Sequence, residues 1–157
     1  MPNKQTFMLE AINLAASNLK NGNGGPFGAV VVKNGEIIGK GSNTVTSSND
    51  PTAHAEINAI RDACKNLGHF QLDGCEIYSS CEPCPMCMGA IYWARPAKLF
   101  FAANRKDAEM AGFDDSKIYQ ELRLDFNERE IPNEQMLRNE ALEVFEKWNQ
   151  LDNKIQY

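Results

Sequence analysis

The sequence predicts an α/β fold, a mixed sheet with helices on both faces, in a single domain of 157 residues. Three observations carry that prediction. Two short runs rich in Val and Ile are joined by Asn34-Gly35, the dipeptide that best favours a two-residue hairpin turn. Strand, helix and strand signals follow one another across residues 76–103, a spacing that implies a parallel pair with a right-handed crossover. Helical periodicity flanks both motifs, which leaves helices to cover the sheet.

The elements follow in order. From Thr6, read as an N-cap, to Lys20 the apolar residues Met8, Ile12, Ala15 and Leu19 recur at helical spacing, and Asn21-Gly22 supplies the stop. Residues 29–33 and 36–40 form the antiparallel hairpin, so the sheet begins with β-strands one and two. Residues 46–50 read as a polar loop. Beyond it Ala53, Ile57, Ile60, Cys64 and Leu67 step by four, three, four and three to a stop at Gly68, which makes a second helix with His54 and Glu56 in its first turn. Residues 76–80 read as a strand, 84–94 as a helix opened by Pro85 and closed before Pro96, and 98–103 as another strand. After Asn104 the pattern breaks into short helical pieces, with Ala141, Val144, Phe145 and Trp148 marking a last amphipathic helix. No repeat, low-complexity linker or internal boundary interrupts the chain.

The net charge of -5 and pI near 5.1 supply no basic face of the kind that displaces counterions from phosphates. A small, uncharged substrate suits such a surface better than nucleic acid. Met1-Pro2-Asn3-Lys4-Gln5-Thr6 does not resemble a basic leader before an apolar run, and no apolar stretch reaches the roughly 20 residues of a membrane span, so the expected location is the cytoplasm. The five cysteines, at positions 64, 75, 81, 84 and 87, are odd in number, and three crowd into seven positions. That pattern argues for metal or thiol chemistry in a reducing compartment over a disulfide framework.

Two short motifs concentrate the chemistry: His54-Ala55-Glu56 and Pro83-Cys84-Pro85-Met86-Cys87. Residues two apart on a helix lie about 200° apart around its axis. His54 and Glu56 therefore share a site only where the helix begins, at an end whose N–H groups and dipole favour anionic ligands. Cys84 and Cys87, three apart at the start of another helix, lie on one face and close on the same ion. One imidazole and two thiolates suit zinc and leave a fourth position for water, whose pKa the metal lowers toward about 7. Glu56 then stands as general base, and the set suits hydrolytic deamination of an amidine-like carbon. Other readings stay open. Cys81 as a fourth ligand gives a closed structural site, and Cys81, Cys84 and Cys87 also mimic an iron–sulfur run, although Ile91 stands where its fourth cysteine falls. Cys64, Cys75, Phe100, Phe101 and Trp93 read first as core, and His69 as a loop or capping residue.

The pairing of H-x-E with P-C-x-x-C resembles the signature of zinc-dependent nucleobase deaminases. The chain is similar to the cytidine deaminase superfamily and, within it, to bacterial guanine deaminases, with detailed departure only over residues 122–152. The stretches that carry the resemblance are Gly24-Gly25-Pro26-Phe27-Gly28-Ala29, Ser48-Asn49-Asp50-Pro51-Thr52-Ala53-His54-Ala55-Glu56, Ser80-Cys81-Glu82-Pro83-Cys84-Pro85-Met86-Cys87, Gly89-Ala90-Ile91-Tyr92-Trp93-Ala94 and Ala111-Gly112-Phe113-Asp114-Asp115-Ser116.

The resemblance implies conversion of guanine and water to xanthine and ammonia, in a three-layer α/β/α fold around a five-stranded sheet, with one zinc per subunit. It implies that His54, Cys84 and Cys87 bind zinc, that Glu56 shuttles protons, and that the Cys84 N–H helps hold the oxygen added to the ring. Asn43 would hydrogen-bond the purine and Phe27 pack on it, with Ala55 and Trp93 at the substrate. Asp115 would contact the amino edge and assist proton transfer to the leaving group. The resemblance further implies a domain-swapped homodimer in which Tyr157 closes the partner's site, acting on a free purine base without nucleic acid or membrane. Each position also has an ordinary reading: Asn43 as a strand-end turn residue, Phe27 as core, Asp115 as a helix cap, and Tyr157 as a frayed terminus. The tRNA adenosine deaminases share the Asp50-Pro51-Thr52-Ala53-His54-Ala55-Glu56 entry, but they require a basic RNA face where residues 120–146 are acidic. Cytosine deamination and a non-enzymatic structural zinc module complete the alternatives.

Overall fold

Asn3 opens the first helix, α1, which runs Lys4–Asn21, because its Oδ1 accepts both the Thr6 N–H at 3.0 Å and the Thr6 hydroxyl at 3.1 Å. The cap thus sits three residues before the expected Thr6. The computed structural model describes residues 3–157, so Met1 and Pro2 of the leader reading lie outside it. The buried stripe of α1 is Phe7, Ala11, Ala15 and Asn18, rotated from the expected Met8, Ile12, Ala15 and Leu19. Small residues explain the rotation. Ala11 and Ala15 let the helix backbone close on Gly28, where a Cβ would lie 2.1 Å from the Ala11 carbonyl oxygen.

Strands β1 (Gly28–Lys33) and β2 (Glu36–Ser42) pair antiparallel through a turn in which Asn34 and Gly35 take φ of 52° and 80°, the left-handed pair that the hairpin signal implies. Strand β3 (Cys75–Cys81) pairs antiparallel with β1 and parallel with β4 (Lys98–Ala103), to which α4 (Pro85–Ala94) connects it. The sheet order is β2-β1-β3-β4. Alternation divides the core. Ala29, Val31 and Ile77 pack with Ala55, Ala59 and Ala63 of α3 (Ala55–Leu67) and with Ile91 of α4, while Val30, Val32 and Tyr78 pack with Phe7 of α1. Helices cover both faces, as the sequence predicts.

The expected fifth strand is not there: the described residues form four. After β4, the Asn104 side chain accepts from the N–H groups of Lys106 and Asp107, and Asp107 returns a contact to the Asn104 N–H. This reciprocal cap starts a helix, α5 (Arg105–Met110), directly after β4, and no strand follows it among the described residues. Phe101 on the edge strand β4 is correspondingly 47% exposed, where the sequence suggested burial. A short helix, α2 (Val45–Ser48), occupies the expected polar loop. The chain divides into two compact units, one through Asp115 and one from Ser116 to Tyr157. The second holds α6 (Ser116–Glu121), a 3₁₀ turn at Phe126–Glu128 and α7 (Arg138–Asn149), none of them with a buried residue.

Helix α3 is locked onto β2, and this lock sets where His54 sits. A Cβ on Gly41 would lie 2.2 Å from the Ala55 carbonyl oxygen and one on Gly39 2.6 Å from that of Ala59, so glycine is needed for backbone to meet backbone. Side chains complete the join. Asn58 donates to Ser42 O at 2.9 Å, Asp62 accepts from Lys40 N at 2.9 Å, and Asn66 donates to Ile38 O at 2.9 Å. Four helical residues rise about 6 Å and two strand residues about 6.6 Å, so a helix period of four tracks a strand period of two. Among the described residues no helix is long and apolar enough to cross a membrane.

Candidate active site

His54 and Cys84 occupy the N-cap positions of α3 and α4, with extended backbone at φ -69°, ψ 158° and φ -65°, ψ 169°. Neither side chain caps its own helix. They face each other instead, with Cys84 Sγ 3.6 Å and Cys87 Sγ 3.4 Å from His54 Nδ1. The sequence puts His54 inside the first turn; as N-cap it leaves the helical path, which removes the 200° conflict with Glu56.

The ligand atoms of His54, Cys84 and Cys87 all lie within 4.8 Å of one another. Around a tetrahedral zinc, with imidazole at roughly 2.0 Å and thiolate at roughly 2.3 Å, such atoms stand about 3.5 Å apart. The observed separations of 3.6 and 3.4 Å fit one zinc ion. Hydrogen bonding couples the three groups as well. Hydrogen bonding from the Cys87 thiol, followed by that from His54, lowers the Cys84 thiol to about 4, while the same pairing and burial push Cys87 up. His54 is raised in turn by its bond to Cys84. Cys81 stands outside the group, with Sγ 3.8 Å from the Asn104 carbonyl oxygen and its thiol pushed up to about 11 by burial, so the closed four-ligand reading loses its fourth member.

Glu56 is 6% exposed and its pKa is raised, chiefly by burial. Its Oε1 accepts from the Ser79 hydroxyl at 3.1 Å and its Oε2 lies 3.4 Å from Cys87 Sγ. The carboxylate thus sits against the ligand group without belonging to it.

Asn43, also buried, accepts at Oδ1 from Gly25 N at 3.3 Å and Val45 N at 3.1 Å, which commits its Nδ2 to the opposite side as a donor. Phe27 is half-buried and meets Phe113 edge-on, with ring centroids 4.9 Å apart. Asp115 lies 4.0 Å from Arg105 Nε, and burial raises its carboxyl despite that cation. Ala55 is fully buried at the start of α3. Trp93 lies in α4 and is 63% exposed, and Tyr157 belongs to the second unit, where it is 70% exposed. Cys75 is buried as expected, Cys64 packs at the core margin, and His69 accepts from Gln71 N in an exposed turn.

Four contributors escaped the sequence reading. Ser79 had a signal, a hydroxyl interrupting the apolar alternation of β3. Asn18 is a polar residue on the buried stripe of α1, visible only once that helix is phased correctly. Phe113 stands two residues before Asp115, and Arg105 had no signal at all.

The family profile for the cytidine and deoxycytidylate deaminase zinc-binding region matches residues 1–103. The chain is 56% identical over 155 residues to the guanine deaminase of Bacillus subtilis (strain 168), covering 99% of each protein. The X-ray structure of guanine deaminase from Bacillus subtilis superposes with a TM-score of 0.97 at 56% identity, covering 99% of both chains. A tRNA-specific adenosine deaminase of Aquifex aeolicus is 44% identical over 103 residues, 66% of this chain and 68% of that protein.

Proposed function

The chain belongs to the cytidine and deoxycytidylate deaminase zinc-binding family, and from that premise we infer that it is a guanine deaminase, hydrolysing guanine to xanthine and ammonia. The observation that carries this reading is the convergence of His54, Cys84 and Cys87 beside a separately anchored carboxylate. His54, Cys84 and Cys87 would hold zinc, which would supply the Lewis acidity that eases loss of a proton from water near neutral pH.

Glu56 accepts that proton and passes it to the ring, then to the departing amine. A C–O bond forms at the ring carbon bearing the amino group, its C–N bond breaks, and ammonia leaves. Asn43 offers Nδ2 donors to an acceptor on the purine, since two backbone N–H groups hold its oxygen away. Phe27 packs on the ring, backed by Phe113. Asp115 meets the amino edge and assists the leaving group; its raised pKa suits a carboxyl that both takes and gives a proton. Ala55, Trp93 and the Cys84 N–H complete the substrate surround.

Five free cysteines, one of them disposed to ionise, support residence in the cytoplasm. The active species is a domain-swapped homodimer with Tyr157 closing the partner's site, a reading supported by a C-terminal unit that buries none of its own residues.

Identity to the Aquifex protein favours a second reading, tRNA adenosine deamination, which the net charge of -5 opposes. One panel separates them. Zinc-loaded protein is incubated with guanine, adenine, cytosine, cytidine and a tRNA anticodon stem, and ammonia is measured. Release from guanine is expected; release from the tRNA stem with none from guanine overturns the proposal.

A further inference from the structure

Asn18 lies on α1, outside the metal group, and is 3% exposed. A polar residue on a buried helical stripe needs partners, and its Nδ2 has two: the Gly25 and Asn43 carbonyl oxygens, each at 2.8 Å. Its Oδ1 finds none among the described residues. The amide therefore has one orientation, because a flip would turn that oxygen onto two carbonyl oxygens.

Those two acceptors belong to a closed network. Gly25 N donates to Asn43 Oδ1 at 3.3 Å, Phe27 N donates to Gly25 O at 2.8 Å, and Asn43 N donates to Phe27 O at 3.1 Å. The space around it is tight, since a Cβ on Gly24 would lie 2.3 Å from Asn43 O and 2.4 Å from its Oδ1. One buried amide thus sets the backbone of both residues assigned above to the purine ring.

We propose that Asn18 is a positioning residue for guanine binding, acting through Asn43 and Phe27 and never touching the substrate. This rests on the reading of Asn43 and Phe27 given under Proposed function. Asn18→Asp keeps the size of the side chain but faces two carbonyl oxygens with a carboxylate, and Asn18→Ala removes the tie.

The test is a double-mutant cycle on zinc-loaded protein, using Asn18→Asp, Asn18→Ala, Asn43→Ala and the paired variants, with kcat, KM, zinc content and Tm read for each. Both Asn18 variants are expected to raise KM for guanine at least about tenfold with zinc retained. In the Asn43→Ala background the same changes are expected to cost clearly less in kcat/KM than in the wild type, because the side chain that Asn18 orients has gone and only its hold on Phe27 remains. Full multiplication of the two effects, or an unchanged KM in a folded variant, overturns the role. Should Asn18→Ala fail to fold, the near-isosteric Asn18→Asp carries the same comparison. A wild-type protein silent on guanine would strike the reading of the reaction, whereas an active wild type with an unaltered KM in the Asn18 variants strikes the positioning role alone.

Discussion

A carboxylate as buried as Glu56 is costly unless it is hydrogen-bonded and used, and this one is held by Ser79 against the ligand group. Glu56→Gln is therefore expected to keep stoichiometric zinc, since no ligand is lost, while kcat falls by about 10² to 10⁴, the usual share of a proton-transfer residue. Atomic absorption and ammonia release check both halves; loss of zinc together with turnover would make Glu56 a ligand. Ser79→Ala should cost less, about tenfold, because it loosens a carboxylate that is still present. At this scale the sequence was legible where chemistry restricts residue type and spacing together. His54, Cys84, Cys87 and Glu56 stood out because few other arrangements pair an imidazole and an acid two residues apart with two thiols three residues apart. Asn18 and Ser79 did not, because an amide or hydroxyl has many ordinary uses, and their partners Asn43 and Glu56 lie 25 and 23 residues away, adjacent only after folding.

Between α3 and β2 the element scale shows how a strand edge becomes a foundation for the site. Asp62 and Asn66 meet the outer edge of β2 and give its Lys40 N–H and Ile38 carbonyl the partners that another strand would otherwise supply. The double variant Asp62→Ala, Asn66→Ala removes two such bonds, for a destabilisation of about 2 kcal/mol. In a chain of this length that lowers Tm by about 4 to 8 °C. The opened edge should also promote self-association, seen as light scattering that grows with protein concentration; an unchanged Tm with no association would show that the ladder is idle. Turn chemistry and periodicity made the hairpin and the β3-α4-β4 crossover legible, since both are local signals. The face of α1 was misread because large apolar residues were counted as core, whereas Ala11 and Ala15 win the contact by letting the backbone approach Gly28. The fifth strand came from resemblance alone, and after β4 the described residues form only helices and a 3₁₀ turn.

For the whole molecule, the question is what covers the C-terminal unit. None of its residues is buried, and α7 leaves Val144 65%, Phe145 64% and Trp148 40% exposed. On the first unit Tyr92 and Trp93 of α4 are 76% and 63% exposed. Apolar surface of that kind is normally removed from water by association. A second copy of the chain is the occupant that the swapped-dimer reading requires, so light scattering should report twice the 17.5 kDa chain mass. Deleting residues 155–157 should then lower turnover at least about tenfold, the scale of one lost closing contact, while zinc stays bound at His54, Cys84 and Cys87. Complementation decides whose site the tail closes. Glu56→Gln protein has a silent site and an intact tail; the truncated protein has an intact site and no tail. If the tail crosses, co-expressing the two forms restores activity, because each mixed dimer holds one intact site closed by the other chain's Tyr157. If each chain closes its own site, the mixture stays as inactive as its parents, and full activity in the truncated protein alone removes Tyr157 from the reaction.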